Sequence, residues 1–156
     1  MELSTIALAN TILLRAFANN IPTPPNKLQT MIYLVYTGYL QETGEKLFSE
    51  SFKCLHSGPA LNSVQTKFGC FDPRPIRRYG KDAEGNTFTL DMSCLAQLEH
   101  IINDVTQTFL PMPPGKLSNI IGHDNGAWHK AFRDNMRDLT DTDIQADTCY
   151  SNPLQA

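Results

Sequence analysis

Residues 23–44 read TPPNKLQTMIYLVYTGYLQETG, and this stretch carries the clearest helix signal in the 156-residue chain. Thr23 can cap the helix, and Pro24 suits the first helical position because an amide there has no partner within the helix. Gly44 stands just past the end, where a helix can stop. Between them runs an apolar stripe at three- and four-residue spacing, made of Leu28, Met31, Ile32, Val35 and Tyr39. The pattern predicts a helix that packs one face into a core.

Similar spacing on both sides predicts further helices. The first helix is predicted to start at Ser4 or Thr5, the third at Gly58-Pro59, and a long fourth at Asp91. Two shorter helices are predicted around Leu117 and Trp128. The last of them carries Phe132, Met136 and Leu139. The pattern of residues 45–54 predicts one short extended segment. Residues 87–90 are predicted to form a second strand, which a turn can fold back on the preceding segment. We therefore predict a mainly α, compact single-domain fold with room for a short β-hairpin over residues 1–148, and a flexible C-terminal tail at 149–156.

Composition and charge limit the class of protein. Hydrophobic residues make up 41% of the chain, which suits a globular fold, and the net charge of −3 gives no general attraction to nucleic acid or anionic membranes. No run approaches the ~18 apolar residues of a membrane span, and residues 1–17 lack the pattern of a secretory signal. These features predict a soluble, cytoplasmic protein with no membrane partner.

The cysteines and histidines are the residue types that could supply metal ligands or nucleophiles. Cys54, Cys70, Cys94 and Cys149 form no CxxC pair, so we expect reduced, mostly buried thiols. His123 and His129 are six residues apart and do not share a helix face, so His123 is expected to orient a turn. Cys54 and His56 are not held as a dyad by their spacing, and no glycine-rich phosphate-binding motif occurs. The sequence predicts no enzyme, no catalytic residue, no metal and no cofactor.

Two charged segments suggest alternative partners. A basic cluster could hold phosphates and stack a base on Tyr79, although a solvated loop is the favoured interpretation. This cluster consists of Arg74, Arg77, Arg78 and Lys81. An acidic group near the end could meet a basic partner, and here too a solvated face is favoured. Its members are Asp134, Asp138, Asp141, Asp143 and Asp147.

Several segments, taken in order, resemble the Panacea (SocA-like) domain family of bacteria and phages. They are Leu8-Ala9-Asn10, NKLQTMIY at 26–33, Gly38-Tyr39-Leu40, EKLF at 45–48, CLHSGPA at 54–60 and LSNIIGHDNGAW at 117–128. The order and spacing of these segments cover nearly the whole chain. The positions that depart from the family pattern are Thr30, Leu55, Ala60, Gly122 and Ala127. The resemblance identifies a divergent member.

This resemblance implies an antitoxin, which binds a cognate protein toxin encoded by an adjacent gene and neutralises it directly. Two alternatives remain open: a proteolysis adaptor that delivers a toxin to a protease, and a nucleic-acid-binding regulator that uses the basic cluster. The candidate partner-binding residues are Lys27, Gln29, Tyr33, Tyr36, His56, Gly58, Pro59, His123 and Trp128. For each of them, maintenance of the fold is the competing and favoured interpretation.

Overall fold

The computed structural model describes residues 2–151, in which helices surround the central helix predicted at 23–44. Within this range there are seven α-helices and one antiparallel pair of strands. The elements are α1 (Thr5–Ala18), α2 (Pro25–Thr43), β1 (Lys53–Leu55), β2 (Gly58–Ala60), α3 (Asn62–Phe68), α4 (Ala96–Thr108), α5 (Pro114–Ile121), α6 (Ala127–Arg133) and α7 (Asp141–Gln145). Short 3-10 turns lie at Gly69–Phe71 and Met92–Cys94.

Helix α2 is the centre of the core and is buried all round, where the sequence predicted one buried face. Every residue from 28 to 40 is buried, because α1, α3, α4, α5, α7 and β2 all pack against this helix. The helix begins one residue later than predicted: Pro24 is the N-cap, and the Thr23 hydroxyl donates to the Ile21 carbonyl. The predicted end is confirmed, since Gly44 closes the helix with a φ of 75°.

Helix α1 begins as predicted, with the Ser4 hydroxyl accepting from the Ala7 amide. Its buried Asn10 bonds both the amide and the carbonyl of Gly80, and also the Phe88 carbonyl. Farther along, the Leu90 amide donates to the Thr11 hydroxyl. The strand predicted at 87–90 is therefore wrong: these residues form no strand, and side chains of α1 satisfy the backbone there.

The hairpin forms at a different place from the predicted return strand. Lys53 pairs with Ala60, Cys54 with Pro59 and Leu55 with Gly58. Gly58 turns the chain at a φ of 127°, a conformation that favours glycine. Gly58-Pro59 thus belongs to β2, and the third helix begins only at Asn62.

In the second half of the chain, the ends of two helices differ from the predicted ones. Asp91 caps the 3-10 turn, and the fourth helix starts at Ala96. Helix α6 ends at Arg133, so Phe132 and Met136 do not continue a buried face and are 42% and 49% exposed. A short polar turn, which includes Asn135 at a φ of 54°, ends the helix early.

The end of the described chain packs against the domain. Cys149 is fully buried, and the Tyr150 ring lies against Gly38, where an added Cβ would come within 2.9 Å of it. Of the predicted tail, these two residues belong to the packed domain, and 152–156 lie outside the described residues. All four cysteines are free, but Cys70 and Cys94 are exposed, so the expectation of mostly buried thiols is wrong for them. None of the helices found in residues 2–151 has the length and apolar character to cross a bilayer.

Candidate protein-binding cleft

A cleft of about 420 Å³ opens where the starts of α2 and α5, the hairpin turn, the loop at 72–73 and helix α6 meet. Its apolar walls are formed by Pro24, Pro73, Pro114, Leu117, Ile121 and Trp128. Its polar lining consists of Asn26, Lys27, Thr30, His56, Ser57, Asp72 and Ser118, with Gly58 and Gly122 completing it. The cleft is therefore an apolar slot with a partly polar lining.

The cleft lies at the ends of elements because the sequence stops or starts them there. Pro24 and Pro113 are the N-caps of α2 and α5, and Gly122 ends α5. An added Cβ at Gly122 would lie 3.0 Å from the Ser118 carbonyl oxygen, so this position is tight. Turns and helix ends leave side chains unpacked on one side, which is where binding surfaces form on a rigid domain.

Trp128 joins the cleft to an exposed aromatic surface. Its indole N–H donates to the Leu55 carbonyl at 2.7 Å, and its ring stacks on Phe132 with centroids 5.0 Å apart. The His56 ring meets Phe132 edge-on at 5.1 Å. We call Leu55, His56, Trp128 and Phe132 the aromatic rim. Leu55 and Phe132 are 41% and 42% exposed, so the rim offers apolar area directly beside the slot.

Lys27 lines the cleft and is partly buried. It lies in the first turn of α2, a turn that contains no acidic residue. Burial lowers the pKa of its ammonium group. The ion pairs formed by lysines within residues 2–151 join Lys46 to Asp141 and Lys53 to Asp138, and Lys27 takes part in neither.

Next to the cleft lies a buried polar cluster centred on Asp147, whose side chain is fully inaccessible. One of its carboxylate oxygens accepts from the Tyr33 hydroxyl at 2.7 Å and from the Ala127 amide at 3.1 Å. The other lies 2.9 Å from His123 Nε2 and accepts from the Cys149 amide, also at 2.9 Å. We call these five residues the Asp147 cluster. It ties residues 147–149 to α2 and to the turn between α5 and α6.

The Asp147 cluster corrects the prediction of a solvated acidic face. Asp147 is buried, and Asp141 accepts from the Tyr36 hydroxyl at 2.7 Å. Desolvation, reinforced by the nearby charge of Asp147, holds the pKa values of Tyr33 and Cys149 well above their usual values. Both groups therefore stay protonated at neutral pH. His123 lies in the turn between α5 and α6 and bonds to Asp147 from there.

The structure separates the predicted partner-binding residues into two groups. Those that line the cleft are Lys27, His56, Gly58 and Trp128. The others serve the fold. Gln29 is buried and brackets Leu61, donating to its carbonyl at 3.1 Å and accepting from its amide at 3.0 Å. Tyr33, Tyr36 and His123 bond inward to aspartates, and Pro59 is buried in β2, so none of these four lines the cleft.

The sequence interpretation missed residues that complete the site. Phe132 was expected in the core, although the polar residues 133–135 that follow it were a signal of an early helix end. Leu117 and Ile121 were recognised as apolar, but their spacing could not show that one edge of α5 borders a cleft. Asp72 and Pro73 lay in a segment rich in proline and glycine that gave no pattern to use.

The basic cluster begins one residue after the last cleft residue of the loop at 72–73. Arg74 directly follows the lining residue Pro73 and is exposed, as are Arg77, Arg78 and Lys81. The Arg78 guanidinium lies 5.3 Å above the Phe71 ring. The segment is thus a surface loop, as the favoured interpretation held.

The pair considered for nucleophilic chemistry does not form a dyad. The Cys54 thiol donates to the Trp128 carbonyl at 3.8 Å, and its burial raises the pKa of the thiol. The His56 ring instead contacts Phe132. Across the described residues, no three His, Cys, Asp or Glu side chains are grouped to hold a metal ion.

Comparison with known proteins gave no match to a protein-family model, to a curated protein or to a solved structure. The likeness to the Panacea family therefore rests on the sequence segments quoted above.

Proposed function

We propose that this chain is a protein-binding domain of the antitoxin type, which neutralises a protein toxin by direct binding through the cleft and the aromatic rim. The observation that carries the proposal is the convergence of Lys27, His56, Gly58 and Trp128 at one cleft. These residues come from three separate segments that resemble the Panacea family, at 26–33, 54–60 and 117–128. Lys27 forms no ion pair within residues 2–151, so maintenance of the fold does not account for its place at this open surface.

The shape of the surface favours a protein partner. Interfaces place aromatic anchors in or beside pockets and surround them with polar groups. Trp128 and Phe132 are stacked and partly exposed here, and the slot beside them has apolar walls. A patch of this kind fits inside a standard interface of about 800 Å² on each partner.

The antitoxin assignment itself is supported by the sequence resemblance, whereas the geometry supports binding. We therefore test the two together by co-expressing the full chain with the product of its neighbouring gene. Growth rescue and a stable complex after purification are the expected result. Rescue with protease-dependent loss of the neighbouring protein and no stable complex would instead support a proteolysis adaptor. A non-toxic neighbour that forms no complex would overturn the proposal.

A further inference from the structure

Lys27 lies where a lysine gives the fold little. The first turn of a helix favours anions, because the helix dipole and the free amides make that end positive. Lys27 is also partly buried, and no acidic side chain in the first turn of α2 offsets its charge. None of the ion pairs among residues 2–151 includes it. A carboxylate supplied from outside the chain would remove this electrostatic cost.

The space beside Lys27 is suited to an apolar side chain. Leu117 and Ile121 present one edge of α5 to the slot, and the Trp128 indole forms another wall. A volume of about 420 Å³ is in the range of protein sites that enclose a small group with a few polar contacts. Ser57 and Ser118 add hydroxyl groups that can bond to a peptide backbone.

Two exposed basic residues are next in sequence to residues that line the cleft, although the chain as a whole has a net charge of −3. Arg74 follows the lining residue Pro73, and Lys116 precedes the lining residue Leu117, and both are exposed. Asp72 is the only carboxylate among the lining residues, and it is also exposed. Complementary charge guides the choice of partner even when it adds little affinity.

We propose that the cleft binds a short segment of the partner protein in which an apolar side chain stands next to a carboxylate. This inference rests on the proposed function and specifies the chemistry of the partner. The apolar side chain lies between Leu117, Ile121 and Trp128, and the carboxylate pairs with Lys27 Nζ. The exposed Arg74 and Lys116, each next in sequence to a lining residue, attract further acidic residues of the same segment.

The cleft fits an acidic peptide better than a nucleic acid. Single-stranded nucleic acids need a track of cations with open aromatic faces on which bases stack. Here one lysine lies inside the slot, and one face of the Trp128 ring is covered by Phe132. The apolar walls match a side chain such as leucine or phenylalanine.

The test uses a phage-displayed library of random 12-residue peptides, selected against the purified full chain. Selected peptides are expected to be enriched in Asp or Glu beside Leu, Ile, Phe or Met. A fluorescent copy of one such peptide should bind Lys27→Glu about tenfold more weakly than the natural chain. A fresh selection on Lys27→Glu should enrich Lys or Arg instead. Lys67→Glu, an exposed lysine of α3 that does not line the cleft, is the matched control.

Several results would overturn the inference. They are the absence of any selected peptide, a selection without acidic residues, and equal affinity for the natural chain and a Lys27→Glu variant with an unchanged circular dichroism spectrum. Displacement of the peptide by oligo(dT) would assign the surface to nucleic acid instead. If the neighbouring protein is neutralised while the peptide results fail, the proposed function stands and only the chemistry of its partner is wrong.

Discussion

The Asp147 cluster and the cleft lie side by side, yet they use polar groups in opposite ways. Both draw on α2 and on the segment from α5 to α6. In the cluster, Tyr33, His123 and two amides satisfy one buried carboxylate. In the cleft, Lys27 and His56 face open space. Throughout residues 2–151, every buried side-chain nitrogen or oxygen has a hydrogen-bond partner, so the open groups belong to the surface.

This difference separates the residues that stabilise the fold from those that are available for binding. Buried polar groups that are fully bonded fix one arrangement of the elements, because leaving any of them unpaired is expensive. Partly exposed groups without partners contribute little to the fold and are free to recognise another molecule. Substitutions in the cluster should therefore change stability, and substitutions in the cleft should change binding.

The largest effect is expected at Asp147. Asp147→Ala leaves the Tyr33 hydroxyl and the Ala127 and Cys149 amides without their acceptor in a buried site, so the free energy of unfolding should fall by about 3 kcal/mol or more. Urea unfolding followed by circular dichroism measures this change. Asp134→Ala, at an exposed aspartate, is the control and should change stability by less than about 0.5 kcal/mol. Equal effects of the two substitutions would show that the cluster does not hold the fold.

Gln29 should give the next largest effect, although it was predicted to face a partner. Gln29→Ala leaves the buried Leu61 amide without its acceptor, whereas the Leu61 carbonyl keeps its bond from the Gln65 amide. The free energy of unfolding should therefore fall by about 1–3 kcal/mol. The exposed Gln97→Ala should leave it nearly unchanged. Urea unfolding of both variants measures these two changes in the free energy of unfolding. A small loss at Gln29 would contradict its assignment to the residues that hold the fold.

The buried thiol and phenol of the cluster predict a fall in stability at alkaline pH. Their usual pKa values are 9.0 for Cys149 and 10.0 for Tyr33, and burial raises both in the folded chain. The unfolded chain loses these protons first, so their contribution is complete below pH 9 and declines above it. Each group should lower the free energy of unfolding by about 1.4 kcal/mol per pH unit once its unfolded form is ionised. The lowered pKa of Lys27 acts in the opposite direction and offsets part of the decline.

Thermal unfolding between pH 7 and pH 10.5 tests this dependence. Cys149→Ala should flatten the decline of Tm between pH 9 and pH 10, because the thiol that must ionise on unfolding is gone. Cys94→Ala removes an exposed thiol and should leave the slope of the natural chain. An unchanged slope in Cys149→Ala would contradict the assignment of the decline to that thiol.

The smallest effect on stability is expected at Lys27, where the effect on binding should be large. Lys27→Met removes a partly desolvated charge from the first turn of a helix, so Tm should stay unchanged or rise. Differential scanning calorimetry measures this, and binding to the neighbouring protein is measured on the same sample. A clear loss of Tm, as at Asp147, would place Lys27 among the residues that maintain the fold.

The sequence predicted the helical class and the central helix because apolar periodicity reports burial directly. It failed to separate Gln29 and Tyr33 from Lys27, since all three stand off the apolar stripe of α2. Their difference depends on what other elements bring to them: the Leu61 backbone to Gln29, and Asp147 to Tyr33. Such partners lie 32 and 114 residues away along the chain, beyond any local pattern.

The cleft was only partly predictable for the same reason. The segments at 26–33, 54–60 and 117–128 supplied Lys27, His56 and Trp128, but their meeting is a property of the tertiary fold. The hairpin was misplaced because Asn10 and Thr11 of α1 bond the backbone at 80–90, and side chains so far away in sequence give no strand signal.

The most direct test of the central claim is growth rescue by cleft variants that remain folded. Lys27→Glu and Phe132→Glu, each co-expressed with the neighbouring gene product, should lose both rescue and co-purification while keeping the circular dichroism spectrum and Tm of the natural chain. Lys67→Glu should rescue fully. Full rescue and a stable complex with both cleft variants would contradict the claim that the cleft and its aromatic rim are the binding surface.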